Sequence, residues 1–542
     1  MPKTFTIGTR GSLLALTQAD QTRRQLEELT GHQYELKVIK TQGDLNQKVP
    51  LWQLEGQNFF TKELDEALKT KAVDLVIHSH KDLGSQRPPE LTLAAITKRQ
   101  FGHDVLLVKK ELIQNWSNLK VFKVGTSSPR RMHNLKTYLK DYLPLHSAPV
   151  EVQTEPLRGN VNTRIEKLRK GEYHGIVLAL AGLERLALGK ESRPKLEELL
   201  KDLNFMVLPQ STFPAAASQG ALAIECLKER NDNNELLSAL NKIHDSETSS
   251  EIQRERKAFN EYGGGCHLAV GIHVKKIVGG FIHTHQGHSE KEGIVEKQFF
   301  ERESNLPKLP KGKSIFVGLP IDKIQNKFKS EKDWELKGSK ILFDQIIQKK
   351  PQTLSENFEA ELNKGHFYIT SDYCTKALEG ISNPCSLWAS GSKTMKKLAQ
   401  NGYWVNGTAD SFGENEILSL KKSHTIQLLL GVSDKNTIDH PWWVLTNDQA
   451  KSLIGRSIPA YTRIVQDSPE DYEKEIQNAQ VFYWTSYFQY EKYKERFPFI
   501  RDRIHCCGLG KTLENFKKTN TIVTPFAHMD DFKSWINSSS LK

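Results

Sequence analysis

Thr4-Phe5-Thr6-Ile7-Gly8-Thr9-Arg10-Gly11-Ser12-Leu13-Leu14-Ala15-Leu16 decides the fold class. Residues 4 to 9 alternate as a strand does, and Ser12 to Leu29 reads as a helix with Ser12 as its N-cap. The same strand, turn and helix sequence recurs downstream. Glu35 to Thr41, Val73 to His78, Val121 to Gly125, Ile176 to Leu180 and Ala221 to Glu225 read as strands, and Thr61 to Lys69 as a helix. This pattern predicts an α/β fold with helices on mostly parallel strands, whose ligands bind outside the carboxyl ends of the strands.

Composition bounds the rest. A chain of 542 residues is too long for one core, and about three to five domains are expected. It is 37% hydrophobic and 26% charged, with no apolar run near the ~20 residues a membrane-spanning helix needs. The N-terminal stretch lacks the uninterrupted apolar core of a signal peptide. Six cysteines make no disulfide framework, so a reducing, cytoplasmic compartment is expected. The Cys506-Cys507 pair reads as core. A net charge of +11 invites a nucleic-acid reading. The cations are scattered among acids without a nucleic-acid-binding pattern, so the expected partners are acidic small molecules, with no nucleic acid and no membrane.

Several turns carry chemistry. Arg10 precedes a capped helix N-terminus, a natural anion site, although an ordinary capped turn is the alternative. Ile77-His78-Ser79-His80-Lys81-Asp82 ends a buried strand, where Asp82 can act as general acid or stabilise a developing cation, or merely pair with Lys81. Gly125-Thr126-Ser127-Ser128-Pro129-Arg130-Arg131, Leu157-Arg158-Gly159-Asn160 with Arg164, and Ala181-Gly182-Leu183-Glu184-Arg185 are further strand-to-helix turns. Each alone could be structural. Together they set arginines at comparable turns, which argues for a multi-carboxylate ligand. Glu261-Tyr262-Gly263-Gly264-Gly265-Cys266-His267 displays a thiol after three glycines, which is either a buried core cysteine or an accessible one. His283-Thr284-His285-Gln286-Gly287-His288 has a metal-like composition but reads as a solvated hairpin loop, and no metal site is expected. Residues 304–313 read as a linker with two prolines and three lysines. Gly508-Leu509-Gly510-Lys511-Thr512 fails as a phosphate-binding loop because His505 stands where the first glycine is required.

These motifs, in order, resemble porphobilinogen deaminase, also called hydroxymethylbilane synthase. GTRGSLLAL, KTQGD, FFTKELDEAL, VIHSHKDL, VGTSSPRR, LRGNVNTRIEKL, LALAGLERL, ASQGALAIE and YGGGCHLAVG carry the resemblance over about residues 4 to 300. It implies a two-domain cleft like that of periplasmic binding proteins plus a small α+β cofactor domain. The implied domains are 1–100 completed by about 215–240, then 101–214, then 241–303. By this resemblance Cys266 carries a dipyrromethane cofactor through a thioether. Asp82 is the catalytic carboxylate, which holds pyrrole N–H groups, protonates the leaving amine and stabilises the azafulvene cation. Lys81, Ser127, Ser128, Arg130, Arg131, Arg158 and Arg164 hold the cofactor, and Arg10, Ser12, Lys62, Arg185 and Gln219 the substrate. Four porphobilinogen units are joined with loss of ammonia and released as hydroxymethylbilane. The chain departs from the family pattern at Glu55-Gly56-Gln57-Asn58, where Gly-Gly-Lys-Gly is usual. It also departs at His80 for Met, Pro129 for Leu and Ser218 for Gly.

Residues 314–542 resemble uroporphyrinogen-III synthase through FYITSDYCTKAL, LWASGSKTMKKLAQNGYWV and CCGLGKTLENF. This implies a two-lobed α/β region, with lobes at about 314–345 plus 463–542 and at 346–462. Tyr461 would be the cleft tyrosine, and Thr394, Ser486 and Thr512 carboxylate donors. The whole is then a monomeric bifunctional enzyme that makes uroporphyrinogen III, with the short tether raising the local concentration of the intermediate toward ~mM. The alternatives are a deaminase with a decayed C-terminal region and a solute-binding protein without enzymology.

Overall fold

A computed structural model describes residues 2–41, 61–84, 86–232, 234–265, 267–310, 314–320, 340–354, 365–379, 381, 384–432 and 440–539. Cys266 and Glu55-Gly56-Gln57-Asn58 lie outside them.

The opening stretch folds as read. Strand β1 (Thr4–Thr9) leads into a helix over Leu13–Thr30, whose first turn is capped by Ser12 Oγ accepting from Ala15 N. Strands β2 (Gln33–Val38), β3 (Leu75–Ser79) and β4 (Leu91–Ile96) follow, and the chain then leaves this sheet. It builds a second sheet from β5 (Asp104–Lys109), β6 (Val121–Gly125), β7 (Glu151–Glu155), β8 (Gly175–Ala179) and β9 (Leu203–Val207), then returns as β10 (Leu222–Leu227). The sheet orders are β2-β1-β3-β10-β4 and β7-β6-β8-β5-β9. They are mixed rather than mostly parallel. β10 runs antiparallel to β3 and β4, and β5 antiparallel to β8 and β9. β10 is reversed because the chain re-enters from the second sheet. The two connections between these sheets, near residues 97–103 and 208–221, place the carboxyl ends of β1, β3 and β8 around one cavity.

A third, antiparallel sheet follows: β11 (Ala269–Ile277), β12 (Gly280–Ser289) and β13 (Gly293–Arg302). It packs on the helix Ser246–Glu261 through Ala258, Val270, Ile272 and Val295. The histidine run is here, and it is a buried strand rather than a solvated loop. His283 and His285 share one face by the two-residue strand period. His283 stacks on Phe299 at 4.4 Å and pairs with Glu301, and His285 bonds Tyr262.

The C-terminal half has two sheets. β14 (Ser314–Pro320), β15 (Ile341–Asp344), β22 (Ala479–Trp484), β23 (Ile504–Gly508) and β24 (Thr524–Phe526) form a parallel sheet. β16 (Ile347–Pro351), β17 (His366–Ile369), β18 (Ser386–Ala389), β19 (Gly407–Thr408), β20 (Trp442–Asn447) and β21 (Arg456–Val465) form the other. Residues 304–310, read as a linker, pack Leu306 and Leu309 against the first of these sheets.

The six-stranded sheet is docked, not merely tethered. Phe205 of β9 meets Trp388 at 5.9 Å, and both belong to one continuous core. Asn406 bridges the edges of two sheets: its carbonyl accepts from Val207 N at 2.7 Å, while its Nδ2 donates to Phe205 O. The Glu184 carboxylate caps the helix His424–Leu430, accepting from Ser423 Oγ and from the N–H groups of His424 and Thr425. The unpaired N–H groups of a helix start are thereby satisfied across the interface. Glu184→Ala is expected to lower stability by about 1–2 kcal/mol, read as a shift in the urea midpoint of the full chain. An unchanged midpoint would mean that the two halves do not hold one another.

Candidate functional site

The cleft between the first two sheets encloses a cavity of about 710 Å³. Arg10, Lys81, Arg131, Arg158, Arg164 and Arg185 line it, with Asp82 as the one carboxylate among the described lining residues. Ser12 and Gln219 line it as well, and so do Lys40, Thr41, Asn160 and Asn162, which sequence reasoning passed over. Lys81 and Asp82 sit on a one-turn helix at the end of β3, opposite the turn that carries Arg158.

Crowded cations need a counter-charge, and Asp104 supplies it. Asp104 opens β5 and is 1% exposed. It takes Arg131 through Nε at 3.0 Å and Nη2 at 2.6 Å, and Arg130 at 2.9 Å. Burial pushes its carboxyl up, but the two guanidinium groups outweigh that and hold it well below the usual range. Gln219 continues the network. Its Nε2 donates to Asp104 and to the Gly102 carbonyl, and its Oε1 accepts from Lys81 Nζ at 3.4 Å. One buried carboxylate thus orients cations from both walls of the cleft. Burial works against the charge of two further arginines. Burial pulls Arg164 down to about 10, with Arg131 and Arg158 adding to it, and burial alone brings Arg185 to about 10. Both stay protonated at neutral pH. Lys81 is exposed on the cleft, and desolvation by the surrounding walls lowers its ammonium pKa.

Some residues expected at the site also make bonds within the protein or stand outside the cavity lining. Ser127 Oγ donates to Leu157 O and accepts from Leu157 N, clipping together the two arginine-bearing turns. Ser128 caps the helix Pro129–Tyr138. Arg130 is buried against Asp104 and the Pro214 carbonyl. Lys62 opens the helix Lys62–Lys69 and does not line the cavity. Asp104 was missed because a lone acid before an apolar strand carries no motif.

Gly263, Gly264 and Gly265, immediately before Cys266, have φ of +110°, +61° and +88°. Side chains are strained in that conformation, so the glycines are conformationally required. Behind them, Glu255 joins the third sheet to the inter-domain connections, accepting from Arg99, Ser218 N and Val274 N.

In the C-terminal half, Ser486 caps the helix Tyr487–Arg496, and Thr512 Oγ1 lies 3.5 Å from the Thr485 carbonyl. Thr394 is buried in the helix Ser392–Gln400 of the other lobe. Tyr461, expected on an open cleft, is 7% exposed, with its ring 5.7 Å from that of Tyr373. Burial pushes its phenol up to about 12, which keeps it protonated.

The fold and the first cleft define an α/β protein whose two mixed sheets flank a cation-lined cavity. Residues 5–235 match the family model described as "Porphobilinogen deaminase, dipyromethane cofactor binding domain". The chain is 36% identical over 273 residues to a porphobilinogen deaminase of Helicobacter hepaticus, covering 50% of this chain and 76% of that protein. It is 34% identical over 269 residues to one of Clostridium novyi, covering 49% of this chain and 81% of that protein. The chain belongs to the porphobilinogen deaminase family. Among solved structures, the probable amino-acid ABC transporter extracellular-binding protein ytmK from Bacillus subtilis is similar over 48% of this chain and 97% of that one, at 16% identity and a TM-score of 0.25. No described helix is long and apolar enough to cross a membrane.

Two outcomes follow from this geometry. Ser218 sits at φ +69° with a buried hydroxyl that has no hydrogen-bond partner among the described residues. Ser218→Gly is expected to stabilise the chain by about 1 kcal/mol, checked by thermal unfolding. Glu255 is held down to about 2 because Arg99 and His273 outweigh its burial. Its folded pKa is depressed, so its stabilisation is full above its ordinary 4.5 and is lost as pH falls toward 2. Acid unfolding of Glu255→Gln should therefore show a shallower slope in that window than the parent chain does.

Proposed function

We propose that the first cleft polymerises four porphobilinogen units into hydroxymethylbilane with release of ammonia, primed by a dipyrromethane on Cys266. The single observation that carries this reading is the cavity lined by seven cations, Lys40 among them, around one carboxylate among the described lining residues, Asp82. The donor set suits the primer. Each pyrrole brings an acetate and a propionate, and the arginines come from turns on both walls. Once bound, the primer supplies the pyrrole carbon to which the first substrate is joined. Asp82 holds pyrrole N–H groups and passes a proton to the departing amine. Arg10, Arg131, Arg158, Arg164, Arg185 and Lys81 bind the acid side chains and let the lengthening chain shift among them. Gln219, through Lys81 and Asp104, keeps the two walls in register.

For residues 314–542 we propose uroporphyrinogen-III synthase activity: closure of the linear tetrapyrrole with inversion of the last ring and loss of water. Two α/β lobes with Ser486 and Thr512 at strand ends favour it.

Intact mass spectrometry of the purified chain is expected to show the added mass of two linked pyrroles, absent in Cys266→Ser. An unmodified chain that still binds porphobilinogen would support a solute-binding protein instead. Asp82→Asn should lower turnover by at least about 100-fold while keeping the primer. The parent chain supplied with porphobilinogen should yield the type III isomer. Type I alone would leave the deaminase reading standing and remove the synthase.

A further inference from the structure

The C-terminal lobes rest on different parts of the deaminase half. The six-stranded lobe is held by the second sheet through Phe205, Val207 and Glu184. The five-stranded lobe is held by the third sheet. Arg302 donates to the Pro525 carbonyl at 2.6 Å, pairs with Asp531 at 3.2 Å and stacks on Phe526 at 4.4 Å. His528 lies 3.1 Å from the Gln298 carbonyl. Any rotation of the third sheet against the second therefore pulls on the angle between the lobes.

One short segment meets all of these bodies. Asp410 accepts from Ser211 N at 2.7 Å, just past β9. Phe412 lies under Lys275 of β11 at 4.4 Å. On the helix Glu414–Lys421, Glu414 takes Lys511 of the opposite lobe at 3.2 Å. Two residues on, Glu416 pairs with Lys275 and lies 3.8 Å from His103, where the chain enters the second sheet. Asp410 and Ser411 are consecutive non-glycine residues in the left-handed region, at φ +50° and +68°. That conformation is disfavoured and persists only where neighbours hold it. Gly510 of the opposite lobe presses on it so closely that a Cβ there would come within 2.8 Å of the Ser411 carbonyl.

We infer that residues 410–416 are a latch coupling the deaminase domains to closure of the C-terminal lobes. Glu416 reads the position of the third sheet, whose first strand begins three residues after Cys266 in the sequence, and Glu414 passes it to Lys511. The part of this inference that concerns occupancy of the first cleft rests on the deaminase reading above. The mechanical coupling does not. Charge pairs that share one rigid helical turn move together, because packed elements shift between discrete arrangements rather than bending freely.

Hydrogen exchange of the full chain, read by mass spectrometry at residues 508–514, tests this. Lys511→Met is the positive control and should raise exchange there. Lys275→Met, which touches none of those residues, should raise it by at least about fivefold. Exchange at 479–484 should stay unchanged, showing that the lobe remains folded. If Lys275→Met unfolds the lobe, Glu416→Gln, which keeps its shape and loses its charge, takes its place in the same comparison. Exchange at 508–514 equal to the parent's in the folded variant overturns the latch. Porphobilinogen added to the parent should shift exchange at 508–514, and the shift should vanish in Lys275→Met. A covalent adduct without that shift overturns the link to occupancy. An absent adduct overturns the deaminase reading alone, and the substrate-free comparison still decides the latch.

Discussion

The first half of the molecule depends on the buried Asp104 carboxylate. A cleft built to hold many carboxylates must gather cations, and gathered cations repel one another. Arg130 and Arg131 could not share one helix turn beside the cleft without a counter-charge, since a buried unpaired charge costs several kcal/mol. Asp104 pairs with both, halving their combined charge, and also grips Gln219, whose other end holds Lys81. The charge that stabilises the fold therefore also places Arg131 and Lys81 on the cavity wall.

The division of labour between the adjacent arginines follows from this. Arg130 is committed to Asp104 and the Pro214 carbonyl, so it steadies the connection between domains. Arg131 shares the same carboxylate yet reaches the cavity. Two identical neighbours in the chain thus share one counter-ion yet differ in what else they meet, the Pro214 carbonyl for Arg130 and the cavity for Arg131.

Much of the fold was legible because local rules and tertiary structure agree. The strand Thr4–Thr9 and the Ser12 cap are read directly from alternation and capping chemistry. The triple glycine is legible because its φ values demand glycine. The failures have physical causes. His283 and His285 looked like a solvated loop because their partners, Tyr262, Phe299 and Glu301, come from other elements and carry no local signal. The antiparallel return of β10 is a property of chain path, not of composition. The docking of β9 against Trp388 and Asn406 was hidden for a similar reason. An apolar edge strand reads the same whether a helix, a second sheet or another chain covers it.

Docking also changes what fusing the two halves means. A flexible tether would raise local concentration only. The observed interface seats the six-stranded lobe directly on the second sheet's domain and runs from Glu184, next to the cleft residue Arg185, to the helix His424–Leu430. The central claim remains that the first cleft grows a tetrapyrrole on a covalent primer. Rapid mixing of the full chain with porphobilinogen, acid quenching and intact mass measurement tests it most directly. The account predicts a ladder of covalent species, each one pyrrole heavier than the last, that resets to the primer-bearing mass as product leaves. A single unchanging mass, with all added porphobilinogen recovered free after denaturation, would contradict it.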